Sequence, residues 1–369
     1  MRAAVLREFN QPFSVEDLTV LDPAYGRVII RTGASPVCST DVTNWRGELG
    51  KVPPIILGHA SMGVVEAVGA GVDGLRVGQR VIVPGTPECG ACFFCSIGRP
   101  DQCSELFDRP DVSATSDGYH PVATDVHGHP IKASGLVGGY ASMMNMHETQ
   151  VFLIESDLPD EHLSMLGCGI TTGLGAVRNA ARVQFGDSVV VVGLGHLGQW
   201  IVQGARVAGA HRIIGIDPVA SRRELAIQLG ATDVIDPEAE DAVSIVKGLT
   251  GGRGADHVFE SAGPASSVAD AFTYSRRAGT IVFMGVKKGG STATVSQAAI
   301  SVEGRTMIGA QNGNVRMRRD LPRYLTLMER GLIHAEPIIT TRYALEGLDE
   351  ALVASRDFTD VCGIIVPTR

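Results

Sequence analysis

The sequence predicts an α/β chain of two domains: a first part built from short β-strands and a second part folded as a doubly wound parallel sheet. Three observations carry this. The 369 residues are too many for one comfortable core and suit two domains. Up to about residue 160 the Val- and Ile-rich runs are short and punctuated by Gly. From about 168 they become unbroken apolar runs alternating with helical patterns, as expected where helices cover both faces of a parallel sheet.

Along the first part, "GRVIIRTGAS" and "ASMGVVEAVGAGVDGLRVGQRVIV" read as strands and turns. Residues 104–135, rich in Asp, His, Pro and Ser, read as a long loop region, a candidate lid or pocket wall. In the second part "SVVVVGLGHLGQWIVQGARVAGAHRIIGID" is strand, Gly-rich turn, helix, strand. "SRRELAIQLGATDVID", "AVSIVKGLTGGRGADHVFESAG" and "SVADAFTYSRRAGTIVFMG" repeat helix then strand. "LPRYLTLMERGLI" is a further helix and "VCGIIV" a last strand, a tail too short to be its own domain and expected to return to the first. The expected division is 1–168 with 306–369, and 169–305 between them.

Composition narrows the function. Hydrophobic content of 44% and charged content of 20% describe an ordinary globular chain. A formal net charge of −8 without a basic stripe argues against nucleic acid or an anionic membrane as partner. No apolar run is long enough to span a bilayer, and "MRAAVLREFNQ" lacks an apolar signal core. The expected location is the cytoplasm, where thiols stay reduced.

The seven cysteines are unevenly spread, with four in "ECGACFFCSIGRPDQC". An odd count, clustering and a reducing compartment disfavour a disulfide knot. A thioredoxin-type pair would need a helix start inside a βαβ unit, whereas this stretch reads as an irregular lobe. Cys89, Cys92, Cys95 and Cys103 on a Gly-containing loop can surround one tetrahedral zinc. Four thiolates fill the sphere, so this zinc is structural and the chemistry lies elsewhere.

"VVVVGLGHLGQW" places Gly193, Gly195 and Gly198 directly after a strand and at a helix start. The first glycine permits the turn, the second lets backbone approach a pyrophosphate, and the third allows close helix–strand packing. With His196 and Leu197 they form the expected coenzyme-binding turn. Asp217 ends the next strand, 19 residues past Gly198. A carboxylate there accepts from the adenosine ribose hydroxyls and repels a 2′-phosphate, which favours NAD over NADP. Arg222 is a second candidate contact that, with Arg223, complicates this preference; the plainer reading of both is a solvated helix start.

A nicotinamide coenzyme moves a hydride, and a Lewis-acid zinc with three ligands and an open position suits the removal of the substrate's proton. Outside the lobe remain Cys38 in "VCSTD", Cys168 in "LGCGITTG" and Cys362, with His59 in "LGHASMG". Two Cys and one His form a known catalytic zinc set, but spacing alone does not connect these residues. Taken singly, each reads as a buried thiol or a core histidine.

At this point the motifs carry a resemblance. "GASPVCSTD", "ILGHASMGVV", "CGACFFCSIGRPDQC", "LGCGITTGLGA" and "VVGLGHLG" occur in the order and at the intervals of the zinc-dependent alcohol dehydrogenases of the medium-chain dehydrogenase/reductase family, and the chain resembles that family end to end. The resemblance implies a GroES-like β-rich catalytic domain (1–168 and 306–369, with a structural-zinc lobe at about 86–106). It also implies a Rossmann domain (169–305) and an active site in the cleft between them. Catalytic zinc on Cys38, His59 and Cys168, and hence two zinc ions per chain, follow from it. Thr40 matches the hydroxyl that relays the alcohol proton, and Asp41 a carboxylate that braces the His59 ring. Thr172 matches a position near the nicotinamide, with helix N-cap or packing as its plainer reading. The implied partners are a small-molecule alcohol or carbonyl substrate and a second or fourth copy of the chain, as homodimer or homotetramer, joined partly through the sheet edge near "GTIVFMG".

Some positions depart from the family pattern. Ala60 stands where an acidic residue usually follows the ligand histidine, and Thr43 where a relay histidine often stands. Ser39 and Cys362 occupy places that often hold basic residues on the pyrophosphate, which predicts a weaker coenzyme grip. Gly85 stands where some relatives put a pocket aromatic; it reads as a turn glycine or, if it faces the pocket, as room for a bulky substrate, with Trp45 as an opposite wall. His120, His127 and His129 read as solvated loop histidines, with a third metal site as the alternative. Two other readings stay open: a zinc-free enone or quinone reductase of the same superfamily, and a catalytically silent dinucleotide-binding protein.

Overall fold

The computed structural model describes residues 1–50, 52–107, 121–133, 137–285 and 292–368. The chain divides into two compact units. The first comprises Met1–Cys168, Arg316–Thr326 and Ile339–Arg369, and the second Gly169–Val315 and Leu327–Ile338.

The first unit is built on two sheets. One runs Ser14–Asp17, Arg2–Leu6, Ile55–Ile56, Pro130–Ala133, Ala123–Thr124, Thr19–Val20. The other runs Phe152–Leu153, Arg80–Val83, Ser61–Val68, Arg27–Pro36, Cys362–Ile365, Ile339–Tyr343, with Met143–His147 also paired to Arg27–Pro36. Alternation in "RVIIRTGASP" buries Val28 and Ile30 against Val65, Val81, Met144 and Met146. Each fully buried aliphatic side chain of this kind contributes about 1.5–3 kcal/mol. The last strand, Cys362–Ile365, pairs antiparallel to Arg27–Pro36, so the tail closes the first unit's own sheet.

The second unit holds six parallel strands in the order Asp233–Ile235, Arg212–Ile216, Ser188–Val192, Ala255–Glu260, Ser275–Phe283, Thr306–Gly309. Numbered along the chain, this is the 3-2-1-4-5-6 order of a Rossmann sheet. The order reverses between Ser188–Val192 and Ala255–Glu260, which is where such sheets bind ligands, and the Gly-rich turn leaves the first of these strands. Val190, Val192, Ile214, Val258 and Ile281 fill the core.

One sequence expectation needs correction. A return to the first domain at 306 does not match the contacts: Thr306–Gly309 is the sixth strand of the parallel sheet, and 327–338 also stays with the second unit. The sheet edge near "GTIVFMG" is the neighbouring strand Thr306–Gly309, which pairs with Thr280–Phe283. Among the described residues no helix is long and apolar enough to cross a membrane.

Candidate active site

The four lobe cysteines converge. Their Sγ atoms lie within 4.8 Å of one another, with Cys89–Cys95 at 3.8 Å and Cys92–Cys103 at 4.0 Å. A zinc–sulfur bond of about 2.3 Å in a tetrahedron puts sulfurs about 3.8 Å apart, so the donor set fits zinc and is too wide for disulfides. Backbone builds the cradle: Cys92 N–H donates to Cys89 Sγ at 3.3 Å and Cys95 N–H to Cys92 Sγ at 3.4 Å. Burial pushes the Cys95 thiol up to about 11. A divalent cation reverses that cost, because it holds its thiols deprotonated.

A second set forms from three distant positions. Cys38 is the N-cap of the helix Ser39–Trp45, His59 lies between the strands Ile55–Ile56 and Ser61–Val68, and Cys168 follows the short turn Met165–Gly167. Their ligand atoms lie within 4.8 Å of one another, and all three residues keep some exposure. His59 Nε2 is 3.4 Å from Cys168 Sγ, while Nδ1 faces Asp41 Oδ1 at 3.1 Å. The carboxylate thus accepts the Nδ1–H bond and leaves the Nε2 lone pair facing the cysteines. Two thiols and an imidazole nitrogen in this arrangement fit zinc.

Asp41 is fully buried and organises the set. Oδ2 accepts the Cys38 N–H at 3.1 Å, which closes a capping box, and the Tyr140 hydroxyl at 2.8 Å. The Thr40 Oγ1 lies 3.8 Å from Cys38 Sγ. The Thr43 hydroxyl turns back on its own helix and donates to the Ser39 carbonyl at 2.9 Å. Ala60 is fully buried beside Gly167, where a Cβ would meet its methyl at 3.0 Å, and it brings no acid to the set.

Other positions are used structurally. A Cβ on Gly85 would lie 2.7 Å from the His59 carbonyl oxygen, so the glycine allows backbone to pass close to the ligand. The Trp45 indole N–H donates to the Gln11 carbonyl at 2.8 Å, and its ring packs on the first unit's core. Cys362 is buried in its strand, 3.7 Å from the Val37 carbonyl, and Ser39 is exposed. His127 and His129 flank Asp125, which accepts both of their N–H groups, and they join neither cysteine cluster. His120 lies outside the described residues. Among the described residues only the two cysteine-containing sets gather three or more metal-ligating side chains.

In the second unit the turn begins at Gly193, whose φ is +88° and whose Cβ would meet Ala262 N at 2.9 Å. A Cβ on Gly198 would lie 1.9 Å from the Gly193 carbonyl oxygen, while Gly195 faces open space apart from Arg222. Asp217 is buried, and its two oxygens accept the Leu194 and Val219 N–H groups. Each oxygen keeps a further lone pair for a ribose hydroxyl. Arg222 is not a solvated residue: it is 8% exposed, and burial lowers its guanidinium pKa against the opposing pull of Asp217. Arg223 donates to the Asp217 and Pro218 carbonyls and pairs with Asp236 at 3.0 Å.

His196 opens the helix His196–Ala208 with its ring against Gly169, where a Cβ would lie 2.3 Å from Nε2. Leu197 follows it, half-buried. Thr172 is the fourth residue of the helix Gly169–Gly175 rather than its cap, and its hydroxyl bonds Asn312 Oδ1 at 3.2 Å. Two structural partners had no clear sequence signal. Gln199 donates to the Leu194 and Arg222 carbonyls and so fastens the turn from below. Tyr140 follows Gly138 and Gly139, and nothing local in the sequence signals the partner of its buried hydroxyl.

Comparison with known proteins follows the same division. A family model described as "Alcohol dehydrogenase GroES-like domain" matches residues 24–156, and one described as "Zinc-binding dehydrogenase" matches 197–330. The chain is 33% identical over 368 residues to an S-(hydroxymethyl)glutathione dehydrogenase of Synechocystis sp., covering 99% of each. Among solved structures it is similar to an alcohol dehydrogenase zinc-binding domain protein from Burkholderia ambifaria (TM-score 0.92, 31% identity, 99% and 98% covered). It is also similar to benzyl alcohol dehydrogenase from Acinetobacter calcoaceticus (TM-score 0.90, 29% identity, the same coverage).

Proposed function

The chain belongs to the zinc-dependent alcohol dehydrogenases of the medium-chain dehydrogenase/reductase family, and from that membership we propose how its own residues divide the work. Oxidoreduction between alcohols and carbonyl compounds, with zinc and a nicotinamide coenzyme, is the activity of this family. The observation that carries the assignment is the convergence of Cys38, His59 and Cys168 beside a threonine hydroxyl.

In this reading each chain takes two zinc ions. Cys89, Cys92, Cys95 and Cys103 hold one and stabilise the lobe. Cys38, His59 and Cys168 would hold the other, which when bound would supply Lewis acidity to a substrate oxygen. Asp41 fixes the His59 tautomer. The Thr40 hydroxyl takes the alcohol proton and passes it on. Thr43 is turned inward, so the outer part of that path runs through water.

The glycine turn Gly193–Gly198 receives the pyrophosphate at a helix N-terminus, and the Asp217 carboxylate selects NAD by disfavouring a 2′-phosphate. Ser39 and Cys362 offer no cation, so the coenzyme grip rests on the turn. The substrate is a small alcohol or its carbonyl partner. Gly85 is taken up by the close pass of backbone beside His59, so its missing side chain is no measure of the substrate's size.

The test is a panel of primary, secondary, aromatic and thiol-adduct alcohols followed by NADH absorbance, with zinc measured on the same sample. Two zinc ions per chain, turnover with NAD, and loss of turnover and of one zinc in Cys38→Ala with the fold intact are expected. Retained turnover in that variant overturns the ligand assignment.

A further inference from the structure

We infer that Tyr140 is a positioning residue for the His59 ligand, acting through Asp41. The inference rests on the ligand set proposed above and concerns a residue outside it.

The geometry is a buried three-member chain. The Tyr140 hydroxyl donates to Asp41 Oδ2 at 2.8 Å, and Asp41 Oδ1 faces His59 Nδ1 at 3.1 Å. Tyr140 and Asp41 are both 0% exposed. The next acceptor near the hydroxyl, the Pro36 carbonyl, is farther away at 3.4 Å. Burial, and then the Asp41 carboxylate, push the Tyr140 hydroxyl well above its ordinary range, so it remains a donor.

Backbone delivers the ring to this place. Gly58 and His59 are adjacent, and Gly58 has φ +90°. Gly139 N–H donates to the Gly58 carbonyl at 3.0 Å and Tyr140 N–H to the Leu57 carbonyl at 3.1 Å. A Cβ on Gly58 would lie 2.9 Å from both of those nitrogens. The residue before the ligand is therefore bare so that the 139–140 segment can pass beneath it and aim the hydroxyl at Asp41.

A phenylalanine ring fills the same volume, so the hydroxyl is there for its bond. Without it, Oδ2 keeps only the Cys38 N–H. A buried carboxylate short of a donor shifts toward whatever it can still reach. Oδ1 of the same carboxylate holds the imidazole in register, so a shift of the group moves the ring with it, and loss of such an outer partner typically costs about 10–100-fold in metal affinity.

The experiment follows metal release to a chromogenic chelator, and the charge-transfer and d–d bands of the cobalt(II)-substituted holoenzyme. Wild type, Tyr140→Phe, Asp41→Asn, the double variant and Cys38→Ser are compared. Cys38→Ser identifies the release phase and the bands that belong to this set; if it changes neither, the ligand reading fails and the inference falls with it. With that phase identified, Tyr140→Phe is expected to release metal about tenfold faster and to shift the bands, while the lobe phase stays at its wild-type rate. The double variant is expected to release no faster than Asp41→Asn alone, since both act through one carboxylate. Wild-type release and spectrum in Tyr140→Phe, or multiplied effects in the double variant, overturn the inference. The cycle decides even if Tyr140→Phe lowers overall stability.

Discussion

Asp217 reaches back across the glycine turn to Leu194, whose N–H it accepts at 2.8 Å. The carboxylate proposed to read the ribose therefore also shapes the loop proposed to hold the pyrophosphate. Asp217→Asn keeps an oxygen for Leu194 but loses the negative charge. The ratio of kcat/KM for NAD over NADP should fall by about tenfold or more. Asp217→Gly should weaken both coenzymes, because the turn loses its tether. An unchanged ratio in Asp217→Asn counts against ribose recognition.

Thr40→Ala should lower kcat by roughly 10²–10³-fold with zinc content unchanged, and Thr40→Ser should restore most of it. Steady-state kinetics with metal analysis check both. Loss of zinc in the alanine variant would make the hydroxyl a structural group.

Cys89→Ser should act on stability and not on chemistry. Removing one of four thiolates would break the coordination sphere proposed for the lobe, whose binding energy would be folding energy. A fall in Tm of roughly 10 °C is expected, with residual kcat near wild type below the transition.

Asp256 should set part of the acid limb of stability. Burial opposes its charge, but bonds from the Ser188 hydroxyl and N–H and from Arg276 outweigh it, and the carboxyl falls from 3.8 to about 2. A folded-state value below the unfolded one stabilises the chain above about pH 4, and the benefit disappears as pH falls through about 2. After discounting for exposure this amounts to about 1 kcal/mol. Asp256→Asn should remove it, which shows as a flatter denaturation profile between pH 4 and 2.

Gly58→Ala should cost about 2 kcal/mol or more, since it places a side chain at φ +90° and against Tyr140 N. Thermal unfolding and catalytic-site metal content should both drop. A variant that loses neither would show that the 139–140 segment can yield.

The parts of the fold and site that were legible in the sequence are those with a local code. Unbroken apolar runs mark the parallel sheet, x2 spacing marks the cysteine lobe, and Gly193–Gly198 marks a turn after a strand. Cys38, His59 and Cys168 have no such code, because strands far apart in the chain bring them together, and only the family resemblance grouped them. Tyr140 was invisible for the same reason: its meaning lies in a partner 99 positions away. Arg222 was open between coenzyme contact and a solvated helix start, because a charged residue there is usually solvated, whereas it is buried with its guanidinium close to Gly195. The strand Thr306–Gly309 was missed because "TMIG" is too short to signal itself, and its pairing with Ser275–Phe283 is a tertiary fact.

The chain first crosses from one unit to the other at the peptide bond that follows Cys168. All seven candidate ligand cysteines and histidine thus sit on one side of it, and the whole glycine turn with Asp217 on the other. The candidate metal ligands and the proposed coenzyme contacts are consequently separable inheritances. A graft of residues 169–315 from a relative would exchange the whole glycine turn and leave the recipient's candidate metal-binding side chains untouched, which makes the bonds after Cys168 and Val315 natural seams for recombination.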